Sequence, residues 1–98
     1  MSEFSITPEE AKRIILQWQA QAPKSAYKGG SYPGKEIQNI LSQPGCTGMI
    51  YYFAQKDDGT MVIVLAGTDA NNKVMKDGVL LENSWLCPPI CYVNGLDT

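Results

Sequence analysis

Two apolar runs dominate this chain: Thr47-Gly48-Met49-Ile50-Tyr51-Tyr52-Phe53-Ala54 and Thr60-Met61-Val62-Ile63-Val64-Leu65-Ala66-Gly67. They flank Lys56-Asp57-Asp58-Gly59, and Asp-Gly between β-branched and aromatic runs is among the strongest local signals for a hairpin. The two strands carry most of the chain's hydrophobicity, so the core must be built on them. In the first, Met49, Tyr51 and Phe53 share one face while Ile50, Tyr52 and Ala54 share the other. In the second, Met61, Ile63 and Leu65 oppose Val62, Val64 and Ala66. Neither strand alternates apolar with polar, so both faces need cover, from this chain or from a partner.

Upstream, Thr7-Pro8-Glu9-Glu10 is a helix start: a capping threonine, a proline at the first helical position, and a glutamate where a capping box places it. The acidic pair suits the positive end of the helix dipole. Ala11, Ile14, Ile15, Trp18 and Ala22 follow at helical spacing, predicting an amphipathic helix over about 8–22, stopped by Pro23. Pro23 to Pro33 reads as a loop. Ile37, Ile40 and Leu41 define a second, shorter helix over about 34–42, closed by Pro44-Gly45.

Beyond the hairpin, Asp69 to Asn72 and Asp77-Gly78 are turns around short apolar runs, extending a meander over about 47–82. The tail, about 83–98, is apolar around Trp85-Leu86-Cys87-Pro88-Pro89-Ile90-Cys91, but its paired prolines exclude a regular central strand. The expectation is one α+β domain of 98 residues. Both helices pack on one face of a small antiparallel meander, and an irregular tail wraps over it.

Catalytic signals are thin. The chain has no histidine, the usual general base. Glu9-Glu10 and Asp57-Asp58 sit at a helix start and a hairpin tip, which explains them without chemistry. Gly29-Gly30-Ser31-Tyr32-Pro33-Gly34-Lys35 matches the phosphate-loop spacing, but Glu36 stands where magnesium binding needs Ser or Thr, and no apolar strand precedes the glycines. Asp69-Ala70-Asn71-Asn72-Lys73 begins like a calcium loop and fails at Lys73. No enzyme activity and no cofactor are expected.

Cys87-Pro88-Pro89-Ile90-Cys91 is the most unusual string. Its thiols can be reduced and packed against the sheet, joined in a disulfide, or half of a metal site completed by Cys46. Zinc wants four ligands, and a meander puts Cys46 and Cys87 at opposite strand ends, about 17–20 Å apart. Packed, reduced thiols are the leading reading. An odd cysteine count of three fits a reducing compartment. With no signal-peptide pattern and no apolar run of about 20 residues, the chain is expected in the cytoplasm. A net charge of −2 gives no case for nucleic acid or anionic membrane. The tyrosines and tryptophans exceed what a core this small needs, and such residues favour interfaces. Tyr52, Trp85, Pro88, Pro89 and Tyr92 are the candidate contact residues for a protein partner or for self-association.

The pieces Ile37 to Leu41, Gly45-Cys46-Thr47-Gly48 leading to Phe53, Val62 to Asp69, and Cys87 to Cys91 resemble a group of small bacterial proteins of unassigned function. Those proteins share a Gly-Cys-x-Gly strand entry and a Cys-Pro-Pro-x-Cys tail. Met49 departs from the group, where an arginine is expected. The resemblance implies one coherent domain with a meaningful tail and supplies no activity, ligand or catalytic residue. The reading is a non-catalytic interaction or assembly module, with a thiol-based metal-binding or redox-responsive protein as the competing class.

Overall fold

A computed structural model describes residues 2–82, 85–91 and 95–97. Its elements are α1 (Pro8–Gln21), β1 (Gly29–Ser31), α2 (Gly34–Leu41), β2 (Cys46–Gln55), β3 (Met61–Asp69), β4 (Leu80–Glu82) and β5 (Trp85–Cys87). They form an α+β arrangement with two antiparallel sheets, a meander in the order β2-β3-β4 and a ribbon of β1 with β5.

The hairpin forms where its sequence signal lies. Gly48 to Gln55 pairs with Thr68 to Met61, and an irregularity in register between Cys46 and Gly48 marks the strand entry. The tip is closed by Lys56 N–H donating to the Thr60 carbonyl at 2.9 Å and by Gly59 N–H donating to the Lys56 carbonyl. Gly59 has φ of 89°, a conformation that glycine adopts without steric cost. Asp58 Oδ1 accepts from Thr60 N–H, and hydrogen bonding from Thr60 holds its carboxyl below the usual range. That carboxylate is a turn-former, as its position predicts.

The first helix keeps half of its capping box. Thr7 Oγ1 accepts from Glu10 N–H at 3.1 Å. The Glu10 carboxylate turns instead to Arg13 in the next turn, and that hydrogen-bonded guanidinium lowers its pKa. Ala22 caps the end in an extended conformation, φ −72° and ψ 151°, as a residue before proline should.

Packing differs from the expectation of two helices on one meander. α2 lies against β2 and β3, and Ile40, at 0 % exposure, is its anchor. α1 faces the β1–β5 ribbon and the tail, where Gln19 Nε2 donates to Asp97 Oδ2 at 3.2 Å. The ribbon itself corrects two further expectations. Part of the Pro23–Pro33 loop is strand, with Gly29, Gly30 and Ser31 opposite Cys87, Leu86 and Trp85, and the tail begins as a strand rather than irregularly. Lys28 N–H extends the ribbon to the Cys87 carbonyl at 2.7 Å. Glycines held in a ladder cannot form a phosphate cradle, so the phosphate-loop spacing has no structural counterpart.

One side chain joins helix to sheet. Gln43, just past α2, accepts from Val79 N–H at 2.8 Å through Oε1 and donates to the Ile40 carbonyl through Nε2. Gly78 makes room for it, since a Cβ there would lie 2.2 Å from Oε1. At the far end, Lys56 and Glu82 make an exposed ion pair at 2.9 Å, and Tyr32 hydroxyl donates to the Ile63 carbonyl. Burial first, and then the Glu82 charge, raise the Tyr32 pKa, keeping the hydroxyl a donor.

The buried apolar set among the described residues is small: Ala11, Ile40, Val62, Leu65 and Ala66. Replacing Ile40 with Ala should therefore lower unfolding stability by about 2–5 kcal/mol in urea denaturation. Ile14→Ala, on the open side of α1, should change it by less than about 0.5 kcal/mol. Equal effects at the two positions would show that α2 is not seated as described.

Candidate functional site

β2 is the feature with most to offer another molecule. It is an edge strand of 10 residues, Cys46–Gln55, without a charge or a proline. Edge strands usually carry such residues to prevent unwanted pairing. Among the described residues, no strand lies on its outer side.

Hydrogen bonds elsewhere fix which backbone groups look outward. Gly67 and Ile63 of β3 turn their carbonyls away from β2, to Met75 N–H at 2.8 Å and to the Tyr32 hydroxyl at 3.2 Å. Their opposites on β2 are Met49 and Phe53, with Tyr51 opposite Leu65 between them. In an antiparallel ladder bonded and non-bonded pairs alternate, so Met49, Tyr51 and Phe53 point N–H and C=O groups to the free edge. The Lys56–Thr60 bond at the hairpin end keeps the same phase.

These residues also share one face. Toward the strand entry that face is covered: Cys46 Sγ, Gln43 Nε2 and Met75 Sδ close over Gly67, all within 3.3 Å of where a Cβ would stand. Toward the hairpin tip it is open, with Tyr51 60 %, Phe53 75 % and Met61 58 % exposed. The Tyr51 and Phe53 rings meet edge to face with centroids 5.8 Å apart. That geometry holds two aromatic rings in a fixed relation on an open surface. The opposite face carries half-exposed Tyr52 beside Val64 and Glu82.

A second feature lies between α1 and the ribbon. Ile15, Gln19, Lys28, Ile90 and Leu96 line an open, largely apolar depression of about 510 Å³. Its wall includes Cys87 and Cys91, which form a disulfide with Cα atoms 4.9 Å apart. The leading expectation of reduced, packed thiols is thus corrected. The chain turns at Pro88-Pro89, with both preceding peptide bonds cis, and Ile90 N–H returns to the Leu86 carbonyl at 3.0 Å. Five residues folded back on themselves put the two sulfurs together.

Cys46 stands apart as a half-buried thiol donating to the Gly48 carbonyl at 3.2 Å. Among the described residues, no cluster of three or more His, Cys, Asp or Glu is arranged to hold a metal. A site made of Cys87, Cys91 and Cys46 has its first two sulfurs bonded to each other. Asp69, head of the calcium-like string, accepts from Asn71 and Lys73 N–H groups through Oδ1, an ordinary turn. Among the described residues, no helix is long and apolar enough to cross a membrane.

The expected contact residues are dispersed. Tyr52 is on the meander and Trp85 on the ribbon, both half-exposed, while Pro88 and Pro89 are exposed at the disulfide turn. Tyr92 lies outside the described residues. Sequence reasoning missed Tyr51, Phe53 and Met61, which expose more surface than Tyr52. The parity of the strand already grouped Tyr51 with Phe53; what it lacked was knowledge of where cover ends.

Comparison with protein-family models, with curated proteins and with solved structures returns no match. The site is therefore read from its geometry.

The cysteine arrangement has a direct chemical readout. Alkylation in denaturant without reductant should add one group, at Cys46, and three after reduction. Intact-mass spectra settle the count, and three adducts without reductant would exclude the Cys87–Cys91 bond.

Proposed function

We propose that this protein is a non-catalytic interaction or assembly module that works through β2. The supporting observation is the coincidence of two open valences on one strand. The backbone groups of Met49, Tyr51 and Phe53 face outward at an uncharged edge, and the side chains of Tyr51, Phe53 and Met61 leave the adjoining face uncovered. Strand addition uses both, the backbone for affinity and the side chains for selectivity. A net charge of −2 argues for a protein partner over nucleic acid.

The surface as a whole points the same way. A compact monomer of 10.8 kDa exposes about 5,500 Å², whereas this chain exposes 7,651 Å². Its radius of gyration is 15.2 Å, against about 13 Å for a compact chain of this length. Such an excess is surface that an assembly can bury.

A redox-responsive role is the second reading, favoured by the Cys87–Cys91 disulfide at the wall of the depression. Reduction would release the turn at Pro88-Pro89 and change that wall.

Native mass spectrometry of the purified protein, with and without reductant, separates the two. The interaction reading expects a stoichiometric polypeptide complex, either homomeric or with one defined partner, that survives reduction and is lost in Phe53→Ser. A complex that forms or dissolves only with the thiol state, indifferent to Phe53→Ser, supports the redox reading. A chain that stays monomeric at high concentration and captures nothing would sink the interaction module.

A further inference from the structure

We propose that the Cys87–Cys91 bond is a site of thiol–disulfide exchange, attacked at Cys91 by thiols whose apolar body seats in the depression between α1 and the ribbon. The inference rests on the redox reading, to which it adds the reacting sulfur and the class of reactant, and it makes no use of β2.

As a staple the bond has little to hold. It joins cysteines four positions apart, and a disulfide that closes so small a loop restrains no distant part of the chain. The ribbon is held instead by its ladder, with Gly29 opposite Cys87 and Gly30 opposite Leu86. The turn has its own backbone bond, from Ile90 N–H to the Leu86 carbonyl.

The two sulfurs are unequally placed. Cys87 is half-buried and lies in β5, where its carbonyl accepts from Lys28 N–H at 2.7 Å. Cys91 is exposed, beyond the strand, and its N–H donates only locally, to the Pro89 carbonyl at 3.1 Å. Exchange needs a thiolate to reach one sulfur and the other to depart. Access selects Cys91 for attack and makes Cys87 the leaving sulfur. Lys28, distant in sequence, is brought by the ribbon to the wall that both cysteines line. Positive charge on that wall favours the departing thiolate.

The depression selects the reactant. Both cysteines open onto its volume of about 510 Å³, and Ile15, Ile90 and Leu96 supply apolar lining beside them. The Gln19 amide and the Asp97 carboxylate on the same wall are hydrogen-bonded to each other. A thiol with an apolar body gains from burial here what a small polar thiol does not. In the first step the incoming thiolate bonds to Cys91 Sγ, and the electron pair of the broken S–S bond leaves on Cys87 Sγ, which takes a proton. A second thiolate then attacks the reactant's own sulfur and releases Cys91. Two thiols thereby become one disulfide, and the protein disulfide becomes two thiols.

The test treats the full chain, folded and oxidised, with 2-phenylethanethiol or with 2-mercaptoethanol, rates being compared per thiolate. Samples are quenched early with iodoacetamide and read by fragment-ion mass spectrometry. The mixed disulfide should be on Cys91 and the alkylated new thiol on Cys87. The aromatic thiol should react about tenfold faster or more. Ile15→Asp should bring the ratio close to one and leave the 2-mercaptoethanol rate unchanged. If that variant fails to fold by circular dichroism, Leu96→Asp replaces it.

A mixed disulfide on Cys87 overturns the proposal, as does equal reactivity of the two thiols; both results leave the redox reading standing. A bond that opens only in denaturant removes the proposal and the redox reading together.

Discussion

The β2–β3 ladder is the constraint on which the remainder hangs. It joins the two most apolar segments in register from Gly48–Thr68 to Gln55–Met61, and the turn that sets this register is closed by two backbone bonds and a glycine. Once formed, it offers β3 as the central strand, with one side bonded to β2 and the other bonded to β4. It also gives α2 a surface, on which Ile40 is fully buried. Without the ladder neither the helix nor β4 has a seat. The ladder equally determines what is left over, because a central strand satisfied on both sides makes β2 an edge.

The junction at Gln43 shows how a small protein fixes geometry with few apolar contacts. One amide satisfies a carbonyl at the helix end and the N–H of Val79, just ahead of β4. A helix end and a strand start both carry backbone groups that secondary structure alone leaves unpaired. Bridging them with a single side chain sets the distance between helix and sheet. The glycine at position 78 is what permits the approach. Together with the small set of buried residues, this gives a structure held as much by directed bonds as by packed volume.

Legibility in the sequence followed the range of the interactions. The hairpin, the cap at Thr7, the stop at Pro23 and the second helix were readable because each depends on residues within a few positions. The ribbon was not, because Gly29-Gly30-Ser31 has no strand character of its own. It is extended by backbone bonds to Trp85–Cys87, far away in the chain. The stripe on α1 announced that something covers the helix, but not that the tail lies opposite it. Half-exposed Trp18 shows that the cover is incomplete. For the cysteines, a spacing of four is compatible with free thiols or a bond, and only the turn at Pro88-Pro89 distinguishes them. At the candidate site, parity was legible and coverage was not, which is why Tyr52 stood out and Phe53 did not.

The contact between Gln19 and Asp97 spans nearly the entire chain, and this bears on how the protein is made. During synthesis α1 emerges before the whole meander, and the tail residues it faces emerge only after it. Until then the Ile15 and Gln19 side of the helix lacks its counterpart in the tail, while the hairpin, being local, can close as soon as its second strand is out. The order of assembly is therefore the reverse of the order in the chain for its outermost layer. A chain interrupted between β4 and β5 would hold a formed meander attached to a helix that lacks its contact with Asp97.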